Sequence, residues 1–304
     1  MTALRHIAAP LLLAGGLATP ALAEPALWKV SDADSSIYLF GSIHVFTKPV
    51  DWRTPQFDAI LNAADHVYFE VLMDIEAYST ITQITLTKGM FRDGRTLRDV
   101  LTPEQYTRLS AIADTVSADM VALERMQPWL ATMTLMQGAY PETTAGVETL
   151  VDVEVATERK RGLETAAEQM GFLSDATLDE QVTTLMSTVD GIESGAVSAL
   201  DDLIDAWQSG DTGALAAAID AQVTPDDAAL YDRLLTERNA RWVAPLEELL
   251  AANDESLVIV GAAHLVGSDG VPALLQDRGY TVERIDQSPT GAPPATGERD
   301  VKRR

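Results

Sequence analysis

Two histidines share one local context. Ile37-Tyr38-Leu39-Phe40 runs into Gly41-Ser42-Ile43-His44, and Leu257-Val258-Ile259-Val260 runs into Gly261-Ala262-Ala263-His264. Each apolar run reads as a buried strand closed by a glycine where the chain turns. Each histidine then sits just past a strand's C-terminal end, the edge at which open α/β sheets bind ligands. Parallel, adjacent strands would bring the two imidazoles to one crevice. Such a pair can bind a transition metal, or divide into a base and an electrophile; a metal site would also need a carboxylate. Glu70 is the best-placed acid. It lies within Val67-Tyr68-Phe69-Glu70-Val71-Leu72, a run of strand formers where a buried acid needs a partner or a function. The alternative is an acid facing water at a strand edge. Glu148, which follows Gly146-Val147 at a helix start, reads as a helix-dipole charge or as an outer partner of the site. Glu164, after Gly162-Leu163, is likewise an outer partner or a solvated residue. Arg238, followed by Asn239 in a charged helix, reads as an anion holder or as an ordinary surface ion pair.

The elements that would position these groups follow from patterning. Strands are expected at 37–40, 67–72, 257–260 and 281–285, and residues 24–36 read as a polar start. A helix follows Pro55 and ends near Ala64. Thr102 and Pro103 read as the N-cap and first position of another helix. Gly146 opens a helix reaching about Arg161, with Gly162 as its C-cap. Further helices carry Leu178 to Val189, Leu200 to Trp207 and Leu230 to Leu249, and one spans about 264–277. Met120, Met126, Met133 and Met136 read as core filling. The fold expected is α/β (α+β), a mixed central sheet built from both chain ends with a large helical insert between the two Gly-X-X-His strands. One domain would cover 24–288.

Composition narrows the function. Net charge is −24, a field that repels nucleic acid and anionic lipid surfaces. The absence of cysteine excludes disulfides, Cys-ligated zinc, iron–sulfur clusters and a thiol nucleophile. Gly-X-Ser-X-Gly, His-Glu-X-X-His, P-loop and Gly-X-Gly-X-X-Gly motifs are absent. Arg5 and His6 precede an apolar run from Ile7 to Leu17, and Ala21-Leu22-Ala23 offers small residues for cleavage. Residues 1–23 therefore read as a signal peptide cut after Ala23, which implies an exported protein without stable membrane insertion, periplasmic in a Gram-negative bacterium; an uncleaved N-terminal anchor is the alternative. Residues 289–304 read as a disordered tail.

The ordered set of motifs resembles the TraB/PrgY/GumN family, related to the Tiki proteases and more distantly to erythromycin-esterase-like and haem-uptake proteins. The resemblance is carried by Leu39-Phe40-Gly41-Ser42-Ile43-His44, Tyr68-Phe69-Glu70, Gly146-Val147-Glu148-Thr149, Gly162-Leu163-Glu164-Thr165 with Gln169, Glu237-Arg238-Asn239 with Trp242, and Val260-Gly261-Ala262-Ala263-His264. It implies one cleft with His44, Glu70 and His264 at its core, holding a divalent ion. Arg238 joins them to stabilise charge, with Glu148, Glu164 and Asn239 outside them. The Tiki branch implies metal-dependent peptide hydrolysis with manganese or cobalt, and zinc is a third candidate ion. The esterase-like branch implies metal-free hydrolysis with a histidine activating water. A non-catalytic crevice for a peptide, haem or glycan precursor is the remaining reading.

Overall fold

Three of the four expected strands lie side by side within the sheet and the fourth at its edge, and the registers put the site residues along one end of the strands. The computed structural model describes residues 24–195, 197–223 and 228–285; the expected signal peptide and C-terminal tail lie outside them. In chain order the strands are β1 (Leu27–Ser31), β2 (Ser36–Ser42), β3 (Val45–Phe46), β4 (His66–Val71), β5 (Thr144–Ala145), β6 (Lys160–Glu164), β7 (Ser256–Gly261) and β8 (Thr281–Arg284). Six form one mixed sheet in the order β6-β4-β7-β2-β1-β8, and β3 pairs with β5. The strands β6, β4, β7 and β2 run parallel, while β1 is antiparallel to both β2 and β8. The sheet is thus built from both chain ends around the helical insert.

Alternation along β7 sets up three layers. Leu257 and Ile259 join a core with Phe40, Phe57, Ile60 and Trp207 on one face. Val258 and Val260 join Leu39, Trp242, Leu246 and Leu275 on the other. The insert has its own core, with Leu97, Leu109, Leu123, Leu135 and Leu185 fully buried. Among the described residues no helix is long and apolar enough to cross a membrane.

Several expectations change. The polar start contains β1, whose Trp28 and Lys29 interrupt the apolar signal between buried Leu27 and Val30. The helix expected from Gly146 to Arg161 stops at Asp152, and Gly162 lies within β6 instead of capping a helix. Polar Lys160 and Arg161 hide this edge strand. It is anchored by Lys160 to Asp152 (2.8 Å), and just before it Arg159 donates to the Leu61 and Ala64 carbonyls. The helix expected over 264–277 is instead a 3-10 turn at Ala262–Leu265 followed by the helix Val271–Asp277, with Gly267 at φ 80 between them. Met133 and Met136 are exposed and do not fill the core, whereas Met120 and Met126 pack against the insert's core.

Gly41 belongs to β2 and does not turn the chain. It is needed for close approach: a Cβ there would meet the Ala262 Cα at 3.0 Å and Cβ at 3.1 Å. Its carbonyl accepts a 2.7 Å hydrogen bond from the buried Trp207 indole. Gly41→Ala should therefore lower stability by about 1–3 kcal/mol through overpacking, as read by chemical denaturation.

Candidate functional site

Register collects the functional groups. Ser42 lies opposite Gly261, Phe69 opposite Ile259 and Gly162, and Val71 opposite Glu164. The C-terminal ends of β2, β7, β4 and β6 therefore meet along one edge, carrying His44, His264, Glu70 and Glu164. Among the described residues the one histidine outside both motifs, His66, pairs with Asp254 at 2.9 Å at the start of β4, the opposite end of the sheet.

The His44 side is built by a backbone crossing. Gly146 N–H donates to the His44 carbonyl and Val147 N–H to the Ile43 carbonyl, both at 3.0 Å. A Cβ at Gly146 would fall 2.0 Å from the Ile43 oxygen, so only glycine allows the approach. The crossing starts the helix Val147–Asp152 beside His44 and aims Glu148 at it. Glu148 Oε1 accepts from His44 Nδ1 at 2.8 Å and also from the Ser42 hydroxyl. Glu148 Oε2 is buried without a hydrogen-bond partner. His44 leaves 66 % of its side chain exposed, so the site opens to solvent there. The Glu148 hydrogen bond raises the His44 pKa to about 9, with the charges of Glu148 and Glu70 assisting against partial desolvation and the Arg238 charge.

On the other side lies a buried guanidinium. Arg238 Nη2 donates to Glu70 Oε2 and to Glu164 Oε1, both at 2.5 Å, and Nε donates to Glu164 Oε2 at 3.2 Å. Nη1 donates to the Leu234 carbonyl and to His264 Nε2, both at 3.1 Å. These five bonds use all five N–H donors of the side chain. Its charge also lies 4.9 Å from the Trp242 ring centroid and 5.3 Å from that of Phe172. Glu70 Oε1 accepts from the Gly261 amide at 2.8 Å, and Gln169 bridges Glu70 and Glu164. Burial pushes the Glu70 carboxyl up, but the neighbouring cationic groups and the Gly261 amide outweigh it and hold it well below the usual carboxylate range. Burial instead raises Glu164, against the opposing pull of Arg238. Burial, aided by the Arg238 and His44 charges, pushes His264 down to about 3, so it is neutral at neutral pH.

All seven residues singled out in the sequence meet here. Arg238 is not a surface ion pair, and neither Glu148 nor Glu164 is merely solvated. The donor atoms of His44, Glu70 and Glu148 lie within 4.8 Å of one another, close enough to share a metal ion. That set contains Glu148 where the sequence suggested His264. A Cβ on Gly261 would sit 3.1 Å from Glu70 Oε1, 3.4 Å from His44 Nε2 and 3.5 Å from His264 Cδ2. The missing side chain thus leaves a cradle between the two motifs. Ser42, Gln169 and the Gly261 amide were not singled out as site groups. The signal for Ser42 was its place in the repeat, where the second copy carries Ala262.

The model of the TraB/PrgY/gumN family matches residues 26–284. An uncharacterized protein of Treponema pallidum (strain Nichols) is 24% identical over 171 residues, covering 55% of this chain and 51% of that protein. The chain thus spans about half the length of this curated relative. No solved structure matches.

Proposed function

The chain belongs to the TraB/PrgY/gumN family, and from that premise we propose that its sheet-edge cluster is the centre of a divalent-metal-dependent hydrolase acting on peptides. The observation that supports this most is the grouping of the His44, Glu70 and Glu148 donor atoms within 4.8 Å. The buried, unpartnered Glu148 Oε2 and the cradle at Gly261 fit an ion among them. One imidazole and two carboxylates suit manganese, cobalt or zinc. Such an ion supplies Lewis acidity and lowers the pKa of bound water. Glu148 orients the His44 ring so that Nε2 faces the cradle, the carboxylate–histidine pairing common at metal sites. Arg238 and the Gly261 amide fix Glu70, and the exposed face of His44 admits substrate. Peptide is the substrate class on resemblance to the Tiki branch, and the reading of residues 1–23 as an export signal supports a periplasmic reaction.

The test is peptide hydrolysis by the full chain before and after chelation. Loss on chelation and recovery with one of the three ions supports the proposal. A second reading is favoured by the 2.8 Å His44–Glu148 bond, which alone could serve metal-free acid–base hydrolysis. Turnover by ion-free protein selects that reading.

A pH dependence follows. His44 carries its proton up to about pH 9, so an ion taking Nε2 must displace it near neutrality. Affinity should rise with pH below that value, by up to about tenfold per unit. Calorimetry in buffers of different ionisation enthalpy should show proton release on binding.

A further inference from the structure

We propose that His264 ligates no ion and is a positioning residue: it presents a lone pair that holds Arg238, which in turn holds Glu70. This rests on the reading of the cluster given above and separates the roles of the two Gly-X-X-His histidines. The hydrogen bonds fix the imidazole from outside inward. Asn239 Nδ2 donates to the Asp269 carbonyl at 2.9 Å, which turns Asn239 Oδ1 onto His264 Nδ1 at 2.6 Å. An amide oxygen only accepts, so Nδ1 carries the hydrogen. A guanidinium only donates, so His264 Nε2, 3.1 Å from Arg238 Nη1, carries the lone pair. Both ring nitrogens are therefore in use. The residue is 3 % exposed and its ring packs tilted against Trp242 with centroids 4.5 Å apart, so it has little freedom to turn.

The cradle points the same way. It meets His44 through a nitrogen but His264 through carbon Cδ2. An ion at His264 Nε2 would have to evict Arg238 Nη1, leaving a buried donor short of a partner. The arrangement instead makes His264 the acceptor for one of five Arg238 donors. Three of the remaining four donors align Glu70 and Glu164. One copy of the motif offers its nitrogen to the crevice, and the other spends both nitrogens on the frame.

Two measurements on the full chain test this. The first compares Mn²⁺, Co²⁺ and Zn²⁺ affinity in wild type, His264→Gln and His44→Gln. Glutamine keeps a neutral acceptor for Arg238. His264→Gln should bind within about threefold of wild type, and His44→Gln at least about 100-fold more weakly. Comparable loss in both folded variants overturns the inference. The second is a long-range ¹H–¹⁵N correlation spectrum of the wild type, which needs neither an ion nor a variant. At neutral pH His264 should show a protonated Nδ1 and an unprotonated Nε2; the reverse tautomer, or two protonated nitrogens, overturns the inference. If no ion binds the wild type, the metal reading fails alone and the spectrum still decides the role of His264.

Discussion

Arg238→Met should lose about 3–5 kcal/mol of stability, the cost of breaking a buried ion pair by removing one partner. Its thermal midpoint should fall by on the order of 10 °C. Methionine fills much of the space between Phe172 and Trp242 but supplies none of the five donated hydrogen bonds. Glu70 and Glu164 are then left facing one another in the interior without their shared cation. The sign with pH follows. In the wild type the depressed Glu70 pKa contributes stability above the ordinary carboxylate range, and that contribution is lost as pH falls through the folded value. Without Arg238, burial and Glu164 are opposed by one charge fewer, so the Glu70 pKa rises and its contribution shrinks. The deficit should be largest near neutrality and shrink below about pH 4–5, where the unfolded carboxyls take up protons. Urea denaturation of both proteins across that range checks it. A deficit independent of pH would show that Arg238 acts through packing alone.

Gly261→Ala should bind a divalent ion at least about 100-fold more weakly than wild type, since losing even an outer partner of a metal ligand costs about 10–100-fold. Its new methyl would stand 3.1 Å from Glu70 Oε1 and 3.4 Å from His44 Nε2, in the space an ion shared by them would need. The contacts are with side-chain ends and not with backbone, so the expected stability cost is no more than about 1–3 kcal/mol. Calorimetric titration beside a denaturation curve separates the two effects. Unchanged affinity would place the ion, if any, away from the cradle.

The parts of this fold that were legible in the sequence are those where burial imposes a pattern. The runs Ile37 to Phe40 and Leu257 to Val260 are buried on both sides and read as strands. Their shared motif marks the sheet edge where both histidines meet, and Glu70 stands out because an acid within an apolar strand must be paired. What was hidden lay at edges and in long-range pairing. Edge strand β6 carries Lys160 and Arg161, which signal a surface helix as readily as a strand. Nothing local distinguishes Arg238 in its charged helix from a solvated residue; only the fold brings it to Glu70 and Glu164. The partnership of Glu148 with His44 depends on the crossing at Gly146, where backbone contact at 2.0 Å from a would-be Cβ is invisible to periodicity. Both Gly-X-X-His copies looked equivalent for the same reason. Their difference lies in Asn239, 25 residues before His264, which only the fold brings onto that ring.

The most direct test is metal binding by the full chain, by elemental analysis and Mn²⁺, Co²⁺ and Zn²⁺ titration of wild type beside His44→Ala and Glu148→Ala, with folding checked by circular dichroism. The account predicts one ion per wild-type chain, lost in both folded variants. No binding by the folded wild type, or binding that survives both substitutions, would contradict it.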